Sequence, residues 1–528
     1  MLSPKKSVLF LCAALPLLAA SIDYAAEGKL WWAHVQFLAD DKLKGRNIGT
    51  PEFQMAVDYV SGQFRKLGLK PAGTDGYLQP VEFETRTLVP EESKLTLVRD
   101  GKEEALALGA DANLSARADL AANLKAPMVF VGYGLVIPEA HWNELSGLDL
   151  NGKIAVYVNA PGPAEASGNV KSHLGSAAER WRVLHEAGAV GIATLAVGGR
   201  GGGRGPAQPQ PSVSLADPEL SESTGMQVAL TVTPSGAGKL FEGSGHTFAE
   251  IQALVRDNKP LPHFPLTGTL ISQARLEHGK LASTNVAGMV PGSGKLKNEY
   301  VILSAHLDHV GVGRPVNGDS IYNGAMDDAS GIATIIEVAR LLKESRYKLR
   351  RSVIFLAVTA EEKGELGSRY FAAHPTVPFR QIVADINLDM FLPLYPLKVI
   401  EVQGLMESTL GDTVKAAAAM DGVEVQVDQE PAENRFIRSD QYSFIRRGVP
   451  SLAFKFGYQP GSPEETTRKN WVRDRYHKPS DDLSQPVDTA AAARFNRIIL
   501  RLMEAVANDA PRPQWRPDSF FKRFATAP

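Results

Sequence analysis

Apolar residues recur at helical spacing at Met55, Ala56, Val60, Phe64 and Leu67, after a Gly/Pro turn at 49–51, and predict an amphipathic helix with a tight entry. The texture changes near Gly109. Short β-like runs at 128–131 and 154–158 sit among Gly, Pro and Asn, with one helical stretch at 177–187, and predict a separate β-rich domain. From Asn285 onward, buried-strand runs at 300–305, 352–358 and 382–388 alternate with helical stretches at 331–342, 440–446 and 490–506. Such alternation predicts an α/β fold: a mostly parallel mixed sheet flanked by helices on both faces. Ligands of open α/β sheets collect beyond the carboxyl ends of the strands, which is where candidate chemistry is sought.

The first residues read as an address. Lys5 and Lys6 precede an apolar run at 8–20 that is short for a membrane span and suits the core of a signal peptide, assigned to 1–26 with small residues at Ala19, Ala20, Ala25 and Ala26. An uncleaved anchor and lipid attachment at Cys12 are the alternatives; Pro16 breaks the run, and Leu11 stands where a small residue is wanted before a lipidated cysteine. The expected location is exported, periplasmic or secreted, with no stable membrane insertion after signal removal. Cys12 is the only cysteine, so a processed chain has no disulfide, thiolate nucleophile or Cys-ligated metal.

At 528 residues the chain has room for two or three domains. Lys+Arg 57 against Asp+Glu 59 leaves a net charge of -2, with no excess to draw nucleic acid. The Gly- and Pro-rich run at 198–206 predicts a mobile loop, its two arginines making a poor RNA-binding case. The expected divisions are 27–108 for the first part of the α/β domain, 109–275 for the β-rich insert, 276–510 for the main part and 511–528 for a Pro-rich, peripheral tail.

Four successive elements end in hard donors. The 300–305 strand runs into His306-Leu307-Asp308-His309, where His306 can ligate a metal while Asp308 takes its second N–H; alone, HxD reads better as a turn around a satisfied histidine. Asp327 and Asp328 enter the 331–342 helix, equally readable as caps or as ligands. Glu361 and Glu362 leave the 352–358 strand in different directions, so one can bind a metal while the other moves a proton; alone they read as a solvated pair. Asp389 ends the 382–388 strand among apolar neighbours, costly to bury without a cation. His477 follows far downstream, by itself a surface histidine. Together, two histidines and three carboxylates, one able to bridge, fit a pair of Zn²⁺ ions.

AHLDHVGVG, GAMDDASGIA, TAEEKGELGS, NLDMF and YHKPSDD occur in the order and context of the M28 family of co-catalytic zinc peptidases, and the resemblance spans about 285–508. GRNIGTPEFQMAVDYVSGQFRKLGL resembles the start of the same catalytic domain. LNGKIAVYVNAPGP with WRVLHEAGAVGIATL resembles the protease-associated (PA) domain often inserted in it. The resemblance implies the zinc-peptidase fold and two Zn²⁺ per chain. It makes Asp327 the bridging ligand, His306 and Asp389 the partners at one metal, and Glu362 and His477 those at the other. Glu361 becomes the general base for a metal-bridged water, Asp308 orients His306, and a cis peptide follows Asp327. His309 falls outside this ligand set, as a structural or rim residue. The implied function is an exopeptidase acting on peptides, an aminopeptidase first. A carboxypeptidase-type hydrolase is an alternative because of Arg435, Arg438, Arg446 and Arg447, and a glutaminyl-cyclase-like acyltransferase is another. SDQYSFIRRGVPS resembles an element beside the pocket that Asp440 lines.

Overall fold

A computed structural model describes residues 22–160, 168–197, 211–345 and 347–526. Most of the expected 1–26 signal, Cys12 included, and the 198–206 run lie outside the described residues. The first helix, Tyr24–Leu38, is capped by Asp23, which accepts from the Ala26 N–H at 2.9 Å, so its first turn falls within the stretch assigned to the signal. Among the described residues, no helix is long and apolar enough to cross a membrane.

Two sheets organise the chain. In the ten-stranded sheet, Tyr300–His306 lies between Ser352–Val358 and Ile382–Asn387, parallel to both, and Ser451–Phe456 continues the parallel order. Antiparallel strands Leu276–Val290, Leu78–Leu88 and Ser212–Leu215 extend one side, and Val399–Gln403 pairs antiparallel on the other. The fold is therefore mixed α/β, parallel where the expected strands lie and mainly antiparallel outside them, with Glu424–Gln426 added parallel to Val399–Gln403 at one edge. Alternation divides each central strand between two cores. Val301, Leu303, Val353, Phe355 and Ala357 face the layer built from Tyr24–Leu38, Pro51–Lys66, Ser330–Ser345 and Thr489–Asn508. Ile302, Ile354, Leu356 and Val358 face Phe371 and Phe444, on Leu366–Ala373 and Gln441–Ile445. Both faces are covered, which explains why these strands read as unbroken apolar runs.

The second sheet has eight strands and its own core around Phe130, Val156, Leu195 and Leu230. Its limits differ from 109–275 in two places. Lys94–Arg99 and Lys102–Leu106 belong to this sheet, through pairing of Lys94–Arg99 with Phe264–Gln273, whereas Ser212–Leu215 leaves it to edge the other sheet beside Leu78–Leu88. Both pairings are non-local, and strand periodicity carries no record of the partner. Leu78–Leu88 and Leu276–Val290 run side by side from Val286↔Leu78 to Leu276↔Leu88 and form the two-stranded link between the cores.

The tail departs from its expected peripheral role. Trp515 and Phe521 are buried with Phe436, Ile437, Tyr442 and Ile445, and the Trp515 indole N–H donates to the Gly448 carbonyl at 2.9 Å. Two aromatic anchors outweigh the prolines around them.

The helix Gly168–Leu174 of the second unit meets the first through His173, which is buried, contacts the Tyr442 hydroxyl through Nδ1 and packs 5.4 and 5.3 Å from the Phe520 and Phe524 rings. Burial pushes its imidazole down to about 4, with Arg446 and Arg182 adding to the push and Glu179 opposing it. An unfolded histidine titrates near ~6.5, so between about pH 4 and 6.5 the unfolded chain binds the extra proton. Stability from this group is therefore complete above about pH 6.5 and is lost as pH falls toward 4, by about 3 kcal/mol in all. Thermal unfolding followed from pH 7 to 4.5 should show a falling midpoint that is flatter in His173→Gln; an identical slope in both proteins would remove His173 as the cause.

Candidate metal and catalytic centre

The parallel strands deliver their last residues to one edge. His306 ends Tyr300–His306, and its Nε2 lies 3.1 Å from Asp327 Oδ1 and 3.7 Å from Asp389 Oδ1. On the other side of Asp327, Oδ2 lies 3.2 Å from His477 Nε2, which is also 3.2 Å from Glu362 Oε2. The five residues proposed from sequence as metal ligands thus converge in two groups that share Asp327. Each group joins distant stretches of chain.

The turn carrying Asp327 is held from outside. The Asp481 carboxylate accepts from the Met326 N–H at 2.9 Å and the Asp327 N–H at 3.0 Å, and is fixed in turn by Gln485. The Asp327–Asp328 peptide is cis. Asp328 faces away from the shared cluster: its Oδ1 accepts from the Gly331 N–H at 3.0 Å, capping Ser330–Ser345, and from the Met390 N–H at 3.2 Å. Cap and cluster readings of this acidic pair therefore apply to different residues.

Arg46 is fully buried behind both loops. It donates to the carbonyls of Leu38 and Asn323 at 2.6 Å and of Leu307 and Gly324 at 3.0 Å, tying the early 38–46 segment to the chain around His306 and Asp327. Burial pushes its guanidinium down to about 10, against the pull of Asp481, Asp308, Asp327 and Asp328. Neither Arg46 nor Asp481 received a role from sequence, because both act by bonding backbone groups. The only signal was their place in GRNIGT and YHKPSDD.

Asp308 differs from expectation. His306 Nδ1 lies 3.0 Å from the backbone carbonyl of Asp308, and that carbonyl takes the second imidazole N–H. The Asp308 carboxylate is engaged elsewhere, accepting from the N–H groups of Glu361 at 3.0 Å and Glu362 at 3.3 Å. The loop after His306 turns its side chain toward the neighbouring strand end, so one residue orients the histidine and also fixes the Glu361–Glu362 turn.

His309 also differs. It is fully buried, its Nδ1 lying 2.7 Å from Glu362 Oε1 and 3.9 Å from Asp327 Oδ2. Its ring packs against Gly324, where an added Cβ would fall 2.5 Å from the His309 Cγ. His477 is 40% exposed and stacks on Tyr476 with ring centroids 4.0 Å apart.

Charge explains the protonation pattern. Burial pushes the Glu361 carboxyl well above the usual carboxylate range; Glu362, Asp389 and Asp440 add to the push, and His306 opposes it. Burial works against a charged His477, but the carboxylates of Asp327 and Glu362 outweigh it and raise the imidazole to about 10. Asp327 is held well below its usual range despite burial, by His309, His306 and His477. Asp440 is fully buried behind the site and pushed up to about 7, chiefly by burial.

The donor set fits hard or borderline cations. His306–Asp327–Asp389 and His309–Asp327–Glu362 each offer ligand atoms within 4.8 Å of one another. His306 Nε2, both ring nitrogens of His309 and Glu362 Oε1 are buried and lack a hydrogen bond of acceptable geometry. Convergent buried donors aimed at one another rather than at partners are explained by an ion between them.

The model of Peptidase family M28 matches residues 285–503. A probable leucine aminopeptidase 2 from Aspergillus oryzae (strain ATCC 42149 / RIB 40) is 29% identical over 179 residues, 33% of this chain and 34% of that protein. A probable zinc metalloprotease from Pyrenophora teres f. teres (strain 0-1) is 33% identical over 244 residues, 44% of this chain and 50% of that protein. The chain thus spans half or less of the length of these curated relatives. An aminopeptidase from Aneurinibacillus sp. strain AM-1 has a similar fold, with a TM-score of 0.53 at 20% identity over 92% of this chain and 95% of that one. Both donor groups and Glu361 fall inside residues 285–503, the segment that matches the model of peptidase family M28.

Proposed function

We propose that the chain is an exported di-zinc aminopeptidase, with Asp327 shared between the ions, His306 and Asp389 at one and Glu362 and His477 at the other. The carrying observation is the convergence on Asp327 of donor atoms from separate stretches of chain, with buried imidazole and carboxylate atoms left without hydrogen bonds. Zinc supplies a Lewis acid for the peptide carbonyl and acidifies water toward neutrality. Glu361 emerges beside the ligand Glu362 and acts as the general base, taking the proton of the attacking water and returning it to the leaving amine. Burial and the neighbouring acids push its carboxyl well above the usual range, and dications held by the donor groups would oppose that push and favour the base form. Asp308 fixes the turn from which Glu361 projects.

The cluster of acidic side chains at the site, Glu361, Asp389 and Asp440, supports a preference for the ammonium of a free amino terminus. Of the four arginines that raised the carboxypeptidase alternative, Arg435 and Arg446 are ion-paired with Glu430 and Glu222, Arg438 donates to the Glu433 carbonyl and Arg447 lies over the Phe379 ring. The second unit is read as a PA-type insert, and the 1–26 stretch as its export signal. Hydrolysis of aminoacyl arylamides should be abolished by chelation and restored by zinc, and N-acetylated analogues should be refused. Full activity in metal-free protein would sink the reading, and release of C-terminal residues from blocked peptides would move it to a carboxypeptidase.

A further inference from the structure

His309 is the one imidazole at the centre that neither the sequence pattern nor the five-ligand reading uses. It is 0% exposed, and neither ring nitrogen has a hydrogen bond of acceptable geometry. A buried imidazole whose ring nitrogens make no well-formed hydrogen bond is costly, and its neighbours state what would relieve the cost. Nδ1 faces Glu362 Oε1 at 2.7 Å and Asp327 Oδ2 at 3.9 Å, and these three atoms meet the distance requirement for a common ion. His477 approaches the same two carboxylates at 3.2 Å to each, through Asp327 Oδ2 and Glu362 Oε2. The Glu362 carboxylate therefore lies between two imidazoles, one oxygen toward each. The ring is held from behind, by Gly324 and by the His309 N–H donating to the Arg46 carbonyl at 3.3 Å, so it cannot turn away without displacing the loop.

We propose that His309 is a direct ligand of the ion held by Glu362 and His477, so that the two metal positions are unequal. One position has four protein donors, His309, Asp327, Glu362 and His477; the other has three, His306, Asp327 and Asp389. Closed four-donor zinc sites serve structure, whereas three-donor sites keep a place for water or substrate. The four-donor residues would hold their ion tightly, and the three-donor residues would hold an exchangeable one with a place left for water or substrate. The inference rests on the di-zinc reading and goes beyond it by assigning this ligand and an order of loading.

The test is a zinc titration of the chelator-stripped full chain against a competing chromophoric chelator, with X-ray absorption of the one-ion form to count imidazoles at zinc. Wild type should load in two unequal steps, and its one-ion form should show two imidazoles. In His309→Ala the tight step should weaken by more than about 100-fold, beyond the 10–100-fold that loss of an outer hydrogen-bonding partner costs, and the imidazole count should fall to one. Asp389→Asn should weaken the other step and leave the tight one in place. A single imidazole in the wild-type one-ion form would overturn the proposal, and that measurement needs no variant to fold. A tight step unchanged in His309→Ala would do the same. A wild-type chain that never takes a second ion would instead bring down the di-zinc reading.

Discussion

Glu361→Gln is expected to bind both zinc ions with unchanged affinity and to lose turnover by about a thousandfold, within the range for removing a general acid–base group. The amide keeps the shape of the side chain and its place in the turn that the Asp308 carboxylate fixes, but it cannot accept the proton of the attacking water. KM should change little, because the residue is assigned to proton movement rather than to holding the ions. Steady-state kinetics on an aminoacyl arylamide, with metal content measured on the same sample, separates the two parts of the claim. Retained turnover would remove Glu361 as the base, and lost zinc would make it a ligand.

Asp327→Asn should act on the metals themselves. Both donor groups meet at this carboxylate, Oδ1 toward His306 and Oδ2 toward His477, so its loss weakens both positions. An ion present at a hundred times its dissociation constant stabilises the fold by about 2.7 kcal/mol. Zinc should therefore raise the unfolding midpoint of the wild-type chain and leave that of Asp327→Asn nearly unmoved, with activity reduced to background. Asp328→Asn offers the contrast, since its carboxylate caps a helix and bonds the Met390 N–H. It should lower the midpoint while keeping the response to zinc. A normal zinc response in Asp327→Asn would end the shared-ligand assignment.

The legible parts of the site were those whose chemistry lies at the ends of regular elements. His306, Glu361, Glu362 and Asp389 each follow an apolar strand, and the parallel order of those strands brings their ends to one edge. What escaped was bonding through the backbone. Arg46 grips four carbonyls, Asp481 takes two amide N–H groups, and Asp308 uses its carbonyl for the histidine and its carboxylate for the next strand. A carbonyl has no letter in a sequence, so such partners stay hidden until the chain is folded. The sequence leaves His309 without a role for another reason: its neighbour Glu362 lies 53 positions along the chain, and it is packing against Gly324 that holds its ring beside that residue. At the level of fold, apolar runs marked the buried strands, whereas the marginal strands Leu78–Leu88 and Leu276–Val290 carry many solvent-facing polar residues and gave no comparable signal.

The helix Tyr24–Leu38 is sealed by the last long helix of the chain. Trp31 is buried between Ser330, to whose carbonyl its N–H donates, and Phe391, and Glu27 pairs with Arg497 on Thr489–Asn508. A nascent polypeptide therefore carries its opening helix without a lid until its closing one has been made, with the whole second unit synthesised in between. Removing either Tyr24–Leu38 or Thr489–Asn508 would uncover the same apolar layer, so each of these helices depends on the other for its burial.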